Sequence, residues 1–176
     1  MSVDVDKLLE VIISKQEGGY VLSKDPDNGD GGWTYAGVTK TTMDKLSGFS
    51  TEFKDYEAID EWLKLAANRE TISNIVNDIY RRNYVPKDFD SVPIFLAGPY
   101  LSASINLGDN PAAVIYSITR QSVALESQLS EFNYWWLARY VDIVINNPRK
   151  LQFLRGWKNR INFWHTFDTS TILAAK

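Results

Sequence analysis

One short stretch near the start of the chain holds most of the residues able to do acid–base chemistry: Glu17, Asp25, Asp27, Asp30 and Thr34. Two carboxylates flanking one bond are what glycoside cleavage requires. One protonates the leaving oxygen, and the other stabilises the oxocarbenium-like state or activates water. Gly18, Gly19, Pro26, Gly29, Gly31, Gly32 and Gly37 punctuate the stretch too often for a helix. Asp25-Pro26 and Asn28-Gly29 are turn signals, so Asp25 has a second reading as the cap of its own turn. A loop this polar also suits calcium, but it lacks the alternating acids and closing glutamate of an EF-hand.

The element that must position Glu17 comes before it. Over residues 4–17, Val5, Leu8, Leu9, Ile12 and Ile13 fall on one apolar helix stripe, with Asp4 at its start and Gly18-Gly19 as a left-handed stop. Glu17 follows Ile13 by four residues and Leu9 by eight, which places it on that stripe. Burial and the negative end of the helix dipole both disfavour a charged carboxylate there, the setting of a general acid. Two other readings stay open: a helix-end glutamate turned to solvent, and one paired with an arginine.

Beyond Glu17, short strands at Tyr20–Leu22 and Trp33–Ala36 predict a hairpin. Helices follow: from Thr39 to Gly48 with Met43 and Leu46 inward, over 56–66, and over 69–83 with a stripe of Ile72, Ile75, Val76, Ile79 and Tyr80. A connector over 84–93 leads to a buried helix from Ile94 to Leu107, which Gly98 and Pro99 either kink or begin. Asn110-Pro111 and Asn147-Pro148 read as caps with proline at the first helical position. They open a helix to about Gln121 and a last one carrying Leu151, Phe153, Leu154, Trp157, Ile161 and Trp164; between them a helix runs from about Leu129 to Ile145. The expected fold is mainly α, with a small polar loop or β-hairpin after the first helix. One domain is expected over 1–176, its catalytic half at about 1–90 and a helical half at about 94–170.

Composition narrows the function. The chain is 44% hydrophobic and 23% charged, ordinary for a soluble domain. Its 13% aromatic content fills a core or, at Tyr20 and Trp33, borders a sugar groove. A net charge of -3 argues against a nucleic-acid partner held by general positive charge. With no cysteine and one histidine, His165, neither a disulfide framework nor a structural zinc site is expected. No run is long and apolar enough for membrane insertion, and the start lacks the basic region of a signal peptide. Synthesis in the cytoplasm is expected, with release to the wall by a separate route.

Several motifs, in order, carry a family resemblance. Glu17-Gly18-Gly19-Tyr20, Asp25-Pro26, Asp30-Gly31-Gly32 and Thr34-x-x-Gly37-Val38-Thr39 resemble the N-terminal signature of the glycoside hydrolase 108 family. Ile79-Tyr80-Arg81-Arg82-Asn83-Tyr84, Ser104-Ile105-Asn106-x-Gly108 and Phe153-x-x-Gly156-Trp157-x-x-Arg160-Ile161 resemble later segments of the same family. The resemblance implies a lysozyme-like helical fold and a peptidoglycan muramidase of the phage endolysin type. It implies cleavage of the β-1,4 bond between N-acetylmuramic acid and N-acetylglucosamine. Glu17 would be the general acid, Asp30 the second group with Asp27 next in line, and Thr34 the holder of a water. Tyr20, Asp25 and Trp33 would bind substrate. No metal or organic cofactor is expected, and the partner is bacterial peptidoglycan, met by a monomer after holin-type release or from a virion. The alternatives are a lytic transglycosylase and a non-catalytic wall-binding or virion structural protein.

Overall fold

A computed structural model describes residues 2–24, 32–122 and 124–174. The chain divides into two compact units: Val5–Asn83, and Met1–Asp4 together with Tyr84–Lys176. Both are mainly helical, with eight α-helices among the described residues and one small sheet.

The first unit opens with α1, Val5–Gln16, whose buried residues are Leu8, Leu9, Ile12 and Ile13, the stripe legible in the sequence. Gly18 and Gly19 end it at φ 83° and 84°, in the left-handed region that glycine reaches without steric cost. The Gly19 amide donates to the Ile13 carbonyl at 2.8 Å, satisfying one of the helix's last acceptors. Strands β1 (Leu22–Lys24), β2 (Trp33–Tyr35) and β3 (Val38–Thr39) then pair antiparallel in sequence order. The first strand lies slightly later than its expected span, and β3 was not expected: two residues cannot show an alternation.

Helix α2, Lys40–Ser47, starts where Thr39 accepts a hydrogen bond from the Thr42 amide and stops at Gly48 with φ 69°. Met43 is buried, but Leu46, expected inward, is 40% exposed. A helix of two turns is too short for its apolar residues to fix one face. Asp55 caps α3, Tyr56–Trp62, by accepting from the Ala58 amide at 2.9 Å. Helix α4, Ala66–Tyr84, buries Ile72, Val76, Ile79 and Tyr80.

In the second unit, α5 (Ile94–Leu107) is the central helix, with every residue from Leu96 to Ser104 buried. Pro99 lies inside it, so the Gly98-Pro99 pair does not mark its start. Helices α6 (Asp109–Ser122), α7 (Gln128–Asn146) and α8 (Leu154–Thr166) complete the unit. Asn110 is not the cap of α6 but sits inside its first turn, with Pro111 beside it. Proline is tolerated there because first-turn amides have no intrahelical acceptor to reach. Asn147-Pro148 opens a 3-10 segment, Pro148–Phe153, ahead of α8, leaving Leu151 60% and Phe153 40% exposed. The core holds Tyr100, Phe132, Trp136 and Tyr140, and Trp157 stacks on Tyr140 with centroids 4.5 Å apart. No helix among the described residues is long and apolar enough to cross a membrane.

Gly98 gives this unit its sharpest constraint. A Cβ there would lie 2.2 Å from the Trp164 ring, so α5 meets the indole at its bare backbone. Intrinsic propensity favours alanine in a helix by about 1 kcal/mol, whereas overpacking costs about 1–3 kcal/mol. Gly98→Ala is expected to lower the urea midpoint at unchanged m-value; a raised midpoint would mean that Trp164 yields at little cost.

Candidate active site

Glu17 is the first residue beyond α1, and its amide still reaches the Ile12 carbonyl at 3.2 Å. Its side chain is half-buried, so the carboxylate neither enters the core nor turns wholly to solvent. The connection between β2 and β3 lies against it. Tyr35 pairs with Val38, and the two residues between them, Ala36 and Gly37, have φ 51° and 80°. Both central residues left-handed is the signature of a type I′ hairpin turn, whose twist matches that of the strands.

Asparagine and glycine are the usual occupants of such a turn. Alanine in the left-handed region costs roughly 1–2 kcal/mol. Tertiary contacts hold it there. The Ala36 amide donates to the Val21 carbonyl at 3.2 Å. The Tyr80 hydroxyl donates to the Ala36 carbonyl at 2.9 Å from a ring that is only 2% exposed. Gly37 is required for a second reason besides its φ. A Cβ there would meet the Tyr80 hydroxyl oxygen at 2.9 Å and Glu17 Oε2 at 3.0 Å. The carboxylate and the phenol thus converge on one bare point of backbone.

The same face of α4 supports the residues on either side. Ser73, Asn77 and Tyr80 follow one another at helical spacing. Asn77 Oδ1 accepts from the Tyr20 hydroxyl at 2.6 Å, and Ser73 Oγ lies 3.3 Å from the Tyr35 hydroxyl. Burial pushes the Tyr20 phenol above its ordinary value, an effect the Asn77 bond partly offsets. Glu17, Tyr20 and the turn are therefore set against one polar edge of one helix. In the sequence Tyr80 belongs to an apolar stripe and to a family motif but carries no sign of its role here, and nothing singles out Ser73 and Asn77. The signal available was that Gly37 and Tyr80 both fall within the ordered motifs.

The other expected site residues are placed unequally. Asp25, Asp27 and Asp30 lie outside the described residues. Thr34 is half-buried in β2, opposite Ser23 and Thr39, on the sheet face away from Trp33 and Tyr35. Trp33 is corrected from groove to core. It is 0% exposed, and a ring with no exposed face offers a sugar nothing to stack on. Strand alternation puts it on the inner face with Tyr35. His165 belongs to the second unit, where its Nε2 faces Asn133 at 3.2 Å.

A half-buried carboxylate at a helix end, lying against a tight turn in a mainly helical chain, is an arrangement suited to glycosidic acid catalysis. The glycosyl hydrolase 108 family model matches residues 11–108, more than half of the chain, and the chain belongs to that family. It is accordingly a glycoside hydrolase, in general terms a peptidoglycan hydrolase. Neither a curated protein nor a solved structure matches it significantly. The matched region includes Glu17, Tyr20, Thr34, Gly37 and Tyr80.

Two predictions follow from the turn and its supports. Tyr80→Phe removes the donor to a buried carbonyl and is expected to cost about 1–3 kcal/mol of stability. Activity should fall with it; unchanged melting and unchanged activity would mean the turn holds itself. The raised Tyr20 phenol keeps its proton longer when folded than when unfolded. Its stability contribution is therefore complete below the ordinary phenol value of 10.0 and lost as pH rises through the folded one. Tyr20→Phe should flatten the alkaline fall in stability, measured by denaturant midpoints across that range.

Proposed function

We propose that the chain is a muramidase that cleaves the β-1,4 bond between N-acetylmuramic acid and N-acetylglucosamine, with Glu17 as the general acid. The observation that carries this reading is the close approach of the Glu17 carboxylate to the bare backbone of Gly37, beside the Tyr80 hydroxyl. A proton donor must be held within hydrogen-bond reach of the leaving oxygen, and a carboxylate packed against a tight turn suits that demand better than a mobile one. Family membership supports it independently, because the matched region spans Glu17 and the motif residues around it.

The second group is taken to be Asp30, with Asp27 and Asp25 as its neighbours in sequence, and Thr34 is assigned the positioning of a water. The carboxylate separation, which decides between a retaining and an inverting outcome, follows from whichever aspartate serves. The proposed setting is bacterial lysis of the phage endolysin type, with peptidoglycan as the macromolecular substrate.

Glu17→Gln keeps the size and hydrogen-bonding of the side chain but removes the proton it gives. A general acid contributes about 10²–10⁴-fold, so release of reducing ends from purified peptidoglycan should fall by that order with melting unchanged. Hydrolysis adds water at muramic acid; product masses showing anhydro-muramic ends instead would replace the muramidase with a lytic transglycosylase. Equal wall clearance by both proteins would remove Glu17 from the mechanism. Wall binding without clearance by either would make the chain a binder.

A further inference from the structure

Beside the turn that lies against Glu17, the first unit carries a cavity of about 380 Å³ whose walls include Tyr20, Tyr35, Tyr56, Asp60, Lys64 and Arg69. Its near edge is close to the proposed acid. Tyr20 is three residues from Glu17 and Tyr35 two residues from Gly37, so the chain itself limits the first separation to about 11 Å between Cα atoms. The wall chemistry is specific. Tyr20 and Tyr56 are half-buried in its lining, with Lys24 Nζ over the Tyr56 ring at 4.9 Å from the centroid, and Tyr35 in the same lining is 2% exposed. Phenol rings offer apolar faces to a pyranose, and Asp60 adds an exposed acceptor for hydroxyls.

Arg69 distinguishes this cavity from a neutral sugar site. Its Nη1 donates to the Leu63 carbonyl at 2.8 Å and the Lys64 carbonyl at 3.2 Å, beyond the end of α3. Arg69 is exposed, and these bonds tie one end of its guanidinium to the end of α3. Its Nε and Nη2 have no acceptor among the described residues. A guanidinium tied at one end with donors left over is suited to a carboxylate, which it can meet with two parallel bonds. Lys64 on the same wall is engaged with Glu61, so the cation offered to a ligand is that of Arg69.

We propose that this cavity is a subsite for a carboxylate-bearing muramyl residue, its ring against Tyr20 and Tyr56 and its carboxylate on Arg69. The proposal rests on the muramidase reading and adds a specificity to it. Two sources supply the carboxylate: the free lactyl group of an unsubstituted muramyl residue, or an acid of the stem peptide attached there. Either would make the enzyme prefer muramyl glycan over an uncharged N-acetylglucosamine polymer.

The test is calorimetric titration of the full chain with three probes. These are chitobiose, the N-acetylglucosamine–N-acetylmuramic acid disaccharide, and that disaccharide carrying a stem tetrapeptide. At least one muramyl probe is expected to bind about tenfold or more tightly than chitobiose, with the gap shrinking as salt is raised. If the free disaccharide already shows the gain, the lactyl group is the source; if only the tetrapeptide form does, the stem is. Arg69→Gln should abolish the gain while leaving chitobiose unaffected, and Arg69→Lys should recover part of it. Tyr56→Ala should weaken all three. Equal affinity for the three probes overturns the proposal, as does a gain that survives Arg69→Gln or ignores salt. Should Arg69→Gln lower the melting temperature, the salt dependence of the wild-type gain decides the matter. Reducing-end release from peptidoglycan by the wild-type chain separates the two claims. A chain that cleaves but shows no gain defeats the subsite alone, and a chain that does not cleave defeats the muramidase reading.

Discussion

The site depends on one close approach: a two-residue turn with both residues left-handed, wedged against a carboxylate and a phenol. Position 37 calls for glycine, because its φ of 80° is left-handed and a Cβ there would sit within about 3 Å of oxygens from both Glu17 and Tyr80. That contact links three elements distant in sequence. The end of α1 delivers Glu17, the β2–β3 hairpin delivers the turn, and α4 delivers the hydroxyl that holds the Ala36 carbonyl.

The strain in that turn is local and its compensation is tertiary. Alanine at φ 51° is disfavoured by itself, yet both its amide and its carbonyl are bonded across the fold. Backbone strain held by surrounding contacts is common where a functional group must be aimed. The consequence here is rigidity beside the proposed acid. Tyr20, Tyr35 and the Ala36 carbonyl are bonded to one edge of α4, through Asn77, Ser73 and Tyr80, so the turn and the neighbouring cavity share one support.

Much of the scaffold was legible in the sequence because it follows from periodicity and caps. The stripe of α1, its stop at Gly18-Gly19, the Thr39 cap of α2 and the span of α5 all rest on local rules. Family membership was legible for a different reason: ordered motifs survive where single short ones carry little weight. The turn was not legible, since Ala36-Gly37 lacks the asparagine or aspartate that normally announces a type I′ hairpin, and what stabilises it lies some forty residues on. The polar edge of α4 was hidden similarly, because nothing near Ser73 and Asn77 in the sequence points to their partners Tyr35 and Tyr20. Trp33 was misplaced because a tryptophan near a polar loop carries no sign of which sheet face it takes, and burial decided it. Leu46 shows the converse error, an apolar residue assigned inward by type and left exposed by the short helix that holds it.

The central claim is that Glu17 gives its proton to the departing sugar oxygen. Such a donor matters most when the leaving group is a poor one and hardly at all when it departs unaided. The direct measurement is therefore the ratio of wild-type to Glu17→Gln cleavage rates on aryl glycosides of muramyl oligosaccharides, over a series of leaving-group acidities. The ratio should be large for alkoxide-like leaving groups and fall towards unity for strongly acidic phenols. A ratio that stays constant across the series would contradict the assignment, leaving Glu17 with a part in binding or folding instead.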